Sequence, residues 1–78
     1  MANVKVYSTP TCPYCVRLKA YLDSKGVQYE NFDVSSDENK LQEMISISGQ
    51  MGVPVIEIDS KDVVIGFDKE QIDILLKL

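Results

Sequence analysis

The architecture of this chain turns on the segment Val4-Lys5-Val6-Tyr7-Ser8-Thr9-Pro10-Thr11-Cys12-Pro13-Tyr14-Cys15. Val4–Tyr7 is a β-branched and aromatic run that reads as a first strand, ended by Ser8-Thr9-Pro10. From Pro13 the pattern becomes helical. Leu18, Tyr21 and Leu22 recur at helical spacing, Arg17 and Lys19 lie on the other side, and Gly26 supplies the stop. Pro13 suits the first helical turn, where its missing N–H would have had no partner. Two cysteines thus stand where a strand hands over to a helix.

Working outward, Val27–Val34 is rich in aromatic and β-branched residues and reads as a second strand. Ser35 with Glu38 three residues on fits a capping box. Leu41, Met44, Ile45 and Ser48 then form one helical face that Gly49 ends. Val55–Ile58 and Val63–Ile65 flank the polar tetrad Asp59-Ser60-Lys61-Asp62, a hairpin lacking the Asn-Gly pair that would name its turn. Asp68 opens a last helix, with Gln71 at capping-box spacing and Ile72, Leu75 and Leu76 as its buried stripe. Tyr7, Tyr21, Tyr29 and Phe32 are read as core and sheet-face residues. The order is β-α-β-α-β-β-α, an α/β fold. Its first two strands form a parallel pair joined by a right-handed crossover, and the hairpin completes a four-stranded mixed sheet.

At 78 residues and 45% hydrophobic content the chain is expected to be a single domain, residues 1–78, with one thin core. Apolar runs such as Val63–Ile65 and Ile74–Leu76 fall far below the ~18 residues needed to span a bilayer. The start Met1-Ala2-Asn3-Val4-Lys5 lacks the pattern of a signal peptide, so a cytoplasmic, membrane-free protein is expected. Twelve acidic against eight scattered basic residues give a net charge of −4, which argues against nucleic acid as partner. Histidine is absent, which removes every His-based nucleophile pair and metal site.

The chemistry falls to Cys12-Pro13-Tyr14-Cys15, which reads as a dithiol–disulfide pair. Cys12 is expected at or beside the N-cap, its sulfur facing unpartnered backbone N–H groups and the positive end of the helix dipole. Both favour thiolate; such cysteines fall to pKa values of roughly 3.5–7.5, against about 8.5 for a free one. Cys15, one turn on, is expected to be more buried and less acidic. Cys12 is then the nucleophile and Cys15 the resolving thiol. A metal half-site and an inert structural pair are the alternatives. No further Cys or His completes a tetrahedral shell, so metal binding would require a dimer. None is expected.

Val4 to Cys15 resembles the start of a bacterial dithiol glutaredoxin, a branch of the thioredoxin-like superfamily, and the likeness runs through the chain. Arg17 to Gly26 resembles the family's first helix, Gly52-Val53-Pro54 its Thr-Val-Pro segment, and Ile65-Gly66-Phe67-Asp68 its Gly-Gly-(Cys/Ser)-Asp segment. The resemblance implies a thioredoxin-like fold and a thiol–disulfide oxidoreductase with glutathione as reducing co-substrate and no bound cofactor. It implies disulfide-containing or glutathionylated proteins as substrates, and a monomer. It implies a cis bond before Pro54, with the Val53 backbone pairing with the substrate's cysteinyl unit. Gly66, Phe67 and Asp68 would offer N–H groups to the γ-glutamyl carboxylate, and Tyr14 an aromatic wall.

Two positions depart from that pattern. Thr9 replaces the family's usual Lys, which pairs with the glycyl carboxylate of glutathione. Phe67 replaces the second Gly, as in the glutaredoxin-like redoxins that serve ribonucleotide reductase and take electrons from thioredoxin reductase. Recharging by a thioredoxin reductase is therefore the rival reading. A dimer bridging a metal or iron–sulfur cluster through Cys12 is a more distant one.

Overall fold

The computed structural model describes residues 3–77. In chain order it contains β1 (Val4–Ser8), α1 (Pro13–Ser24), β2 (Glu30–Asp33), α2 (Glu38–Ser48), β3 (Val55–Ile58), β4 (Asp62–Ile65) and α3 (Lys69–Leu76). The strands pair in the order β2-β1-β3-β4, with β1 parallel to β2 and the other two pairings antiparallel. This is the mixed four-stranded sheet that the element order predicts.

Strand alternation divides the apolar residues between two faces. Val4, Val6, Ile56, Ile58 and Val64 pack against Leu18 and Leu22 of α1 and Ile72 of α3. Tyr7 and Val55 point the other way, onto Met44 of α2 and Val34. The Tyr7 hydroxyl donates to Glu43 of α2 at 2.7 Å, so the buried phenol has its partner and α2 is tied to a central strand. Further along that face, Lys5 stands between Glu30 and Glu57 in the strand register, opposite charges on both sides.

The elements end where local chemistry ends them; β1 runs one residue further, to Ser8, β2 stops one residue earlier, at Asp33, and three starts differ from the sequence reading. Val27 does not begin β2. Its N–H bonds back to Leu22 O at 3.0 Å and that of Gly26 to Asp23 O at 3.1 Å, the paired bonds of a Schellman cap with Gly26 at φ +70°. β2 therefore starts only at Glu30.

Ser35 does not cap α2. The Asp33 carboxylate takes both its N–H and its hydroxyl, and Asp37 caps instead, accepting from Lys40 N–H at 3.1 Å. Asp62 belongs to β4, which leaves Asp59-Ser60-Lys61 as the hairpin loop. Asp59 and Ser60 carry φ of 57° and 54°, the two positive values of a type I′ turn, without its preferred glycine. Asp68 caps α3 as read, accepting from Gln71 N–H at 3.2 Å.

Candidate active site

Cys12 is the N-cap of α1 and Pro13 its first residue. The cap is made by sulfur: the Cys15 N–H donates to Cys12 Sγ at 3.1 Å. Cys12 N–H in turn donates to Thr9 O at 3.3 Å, which closes the turn out of β1. Cys12 remains partly exposed, whereas Cys15 has no accessible surface. Burial pushes the Cys15 thiol up to about 11, and its hydrogen bond with Cys12 adds to the rise. Both cysteines are free thiols. One sulfur faces solvent at the positive end of a helix, and its neighbour is held back in the core.

The second wall comes from the far side of the chain. β1 and β3 are antiparallel neighbours, so the end of β1 and the start of β3 lie side by side at one end of the sheet. The Val53–Pro54 bond there is cis. Cys12 Sγ–H points to Val53 O at 3.9 Å, a long contact of the kind sulfur makes. Proline at this position costs the sheet nothing, because it precedes the first paired residue, Val55.

The third side is the turn between β4 and α3. Gly66 has φ +79°, which suits glycine, and its N–H donates to Pro54 O at 2.8 Å. The expectation that Gly66 presents a free N–H is therefore corrected: that group anchors the cis-proline loop. Phe67 and Asp68 follow it at the start of α3, where Asp68 is the N-cap. The Phe67 ring turns inward, 5.7 Å from that of Tyr21, and packs on the core. Tyr14 is 59% exposed, and the Arg17 guanidinium lies 5.6 Å from its ring centre.

A sequence profile of the glutaredoxin family matches residues 4–63. The chain belongs to the glutaredoxin family. It is 46% identical over 74 residues to a glutaredoxin-like 8.6 kDa protein from the rubredoxin operon of Clostridium pasteurianum, spanning 95% of this chain and 97% of that one. It is 46% identical over 63 residues to glutaredoxin 3 of Escherichia coli K12, spanning 81% and 76%. Its fold superposes on the crystal structure of a glutaredoxin from Archaeoglobus fulgidus with TM-score 0.87 and 30% identity, over 100% of this chain and 89% of that one.

Glutaredoxins are thiol–disulfide oxidoreductases, and the two cysteines of this one stand three residues apart, at Cys12 and Cys15. The fold brings Cys12, Val53 and Pro54 together, and Gly66 joins them through its bond to Pro54. Among the described residues no group of three His, Cys, Asp or Glu side chains is gathered to hold a metal. No helix among them is long and apolar enough to cross a membrane. The sequence reading missed the residues that hold the cis-proline loop from behind, Ser48 and Gln50. Both bond to backbone within four residues of themselves, and such contacts leave no periodic signal.

Proposed function

We propose that this chain is a glutathione-dependent dithiol oxidoreductase that reduces protein disulfides and glutathione mixed disulfides through Cys12-Pro13-Tyr14-Cys15. The observation that carries the reading is the asymmetry of the pair. Cys12 sulfur is partly exposed and receives a backbone N–H, while Cys15 is buried with its thiol pushed up to about 11. Cys12 thiolate attacks a substrate sulfur; a bond forms to Cys12, the substrate S–S bond breaks, and one thiolate leaves. Cys15, after losing its proton, attacks Cys12 Sγ and releases the second thiol, leaving a Cys12–Cys15 disulfide. Two glutathione molecules then supply the two electrons that restore the dithiol.

In this reading the Val53 backbone, held by cis-Pro54, aligns the substrate cysteine beside Cys12. The N–H groups of Phe67 and Asp68 receive the γ-glutamyl carboxylate, as expected of an anion at a helix start. Gly66 supports that corner through Pro54, and Tyr14 offers its exposed ring as a wall. The test is turnover of the mixed disulfide of glutathione and mercaptoethanol, with glutathione and glutathione reductase. Wild type turns over and Cys12→Ser does not; no turnover by wild type overturns the glutathione reading.

A second reading, recharging by a thioredoxin reductase, is favoured by Thr9 and by the inward Phe67 ring, which offers no polar group to a ligand. Insulin reduction coupled to NADPH and thioredoxin reductase separates the two. Faster turnover there than with glutathione would establish the second.

A further inference from the structure

The segment joining α2 to cis-Pro54 has no regular secondary structure, and Met51 within it is 66% exposed. Val53 alone of this segment packs against the core, beside Tyr7, Met44 and Val55, and its carbonyl faces the Cys12 sulfur. Polar bonds hold the residues before it. The Ser48 hydroxyl donates to Met44 O at 2.6 Å and lies 3.4 Å from both Gln50 N and Gln50 Nε2, from which it accepts. The Gln50 carboxamide then grips Gly52 at both backbone groups. Nε2 donates to Gly52 O at 2.9 Å, and Gly52 N–H donates to Oε1 at 2.5 Å. The opposite polarity of these two bonds fixes the orientation of the amide.

Glycine at position 52 leaves room for the Gln50 carboxamide. A Cβ there would meet Gln50 Oε1 at 2.6 Å, and φ at Gly52 is not in the left-handed region, so the backbone itself would accept a side chain. A side chain there would push the carboxamide out of its place on Gly52. Val53 and Pro54 are consequently clamped from two sides: Gln50 holds Gly52, and Gly66 N–H holds Pro54 O.

We infer that Gln50 is a positioning residue for the disulfide-exchange reaction, and that Gly52 is its steric partner. Its carboxamide splints the loop so that the Val53 backbone is presented to the substrate in one geometry. The inference rests on the reading above in which Val53 pairs with the substrate. Because the grip lies in an exposed loop, losing it should loosen the substrate platform and leave the sulfur chemistry alone.

The experiment is a double-mutant cycle with wild type, Gln50→Ala, Gly52→Ala and the double variant, using the glutathione–mercaptoethanol mixed disulfide. Each single variant is expected to raise KM about 3- to 10-fold, the range one or two such hydrogen bonds supply, with kcat within about 2-fold of wild type. The double variant should match the single ones, because both remove the same contact. Alkylation of Cys12 by iodoacetamide, which makes no use of Val53, should keep its rate. Amide exchange at Gly52 should quicken in Gln50→Ala. An unchanged KM in Gln50→Ala, or losses that multiply in the double variant, would overturn the inference. Failure of wild type on the mixed disulfide sinks the glutathione reading instead. The cycle is then run on insulin disulfides with dithiothreitol, under the same criteria.

Discussion

The N–H of Cys15 donates to the sulfur of Cys12 at 3.1 Å, while the thiol of Cys15 itself is closed off from solvent. One residue thus supports its neighbour's sulfur with its backbone and withholds its own. Iodoacetamide at pH 7 should therefore label Cys12 faster than Cys15, by about 10-fold or more given the dependence of alkylation on thiolate and access. Peptide mapping by mass spectrometry reads the order. Equal labelling would contradict the burial of Cys15.

The raised Cys15 thiol makes the reduced protein alkali-sensitive in a defined window. An unfolded cysteine titrates near 8.5, the folded one at about 11, with burial as the main cause. The folded state therefore binds the proton more tightly. Its contribution is complete below about pH 8.5 and is lost as pH rises through about 11. Urea midpoints of the reduced protein should fall over that range by an amount worth roughly 3–3.5 kcal/mol. The slope should be shallower in Cys15→Ala.

Thr9→Lys should tighten glutathione binding. Thr9 is partly buried, and its carbonyl holds the Cys12 N–H. A lysine there would carry an ammonium beside the groove. An exposed ion pair is worth about 0.2–1 kcal/mol, so the Michaelis constant for glutathione should fall roughly 1.4- to 5-fold. High salt should shrink the gain, because screening acts over about 10 Å at 0.1 M. No change at low salt would favour thioredoxin reductase as the donor system.

Ser60→Gly should stabilise the protein by about 0.5–1 kcal/mol. Ser60 sits at φ 54°, where an L side chain is strained and glycine is not. Asp59 should be kept, since it exchanges two bonds with Asn3: its carboxylate accepts at 2.8 Å and its N–H donates at 2.7 Å. For a chain of this size the gain corresponds to a rise in Tm of about 2–8 °C, which scanning calorimetry detects.

Local chemistry explains which parts of this fold and site could be read from the residues. Cys12, Pro13 and Cys15 were legible because a helix start imposes its demands within three residues. Asp68 was legible for the same reason. Val27 misled, since a valine after a glycine serves equally as a strand residue or as the last position of a helix cap; the Leu22 carbonyl settles it. Ser35 and Asp37 are both good caps, and the choice between them lies with Asp33, which engages Ser35 first. The cis bond at Pro54 was expected from family resemblance alone, because nothing in an X-Pro pair marks its isomer. The grip of Gln50 on Gly52 had no signature, since it depends on the path of a loop that only the folded sheet defines.

The antiparallel pairing of β1 with β3 has a consequence for the nascent chain. Cys12 and Val53 are 41 residues apart, and β3 begins only after the second. At the usual ~5–20 residues per second, the dithiol leaves the peptidyl-transferase centre about 2–8 s before its facing wall has been made. During that interval both thiols lack the screen that later restricts their partners. Cys15, inert to bulk reagents once buried, begins its life as an ordinary reactive cysteine. Selectivity is therefore acquired by this protein late, when residues synthesised after the dithiol close over its chemistry.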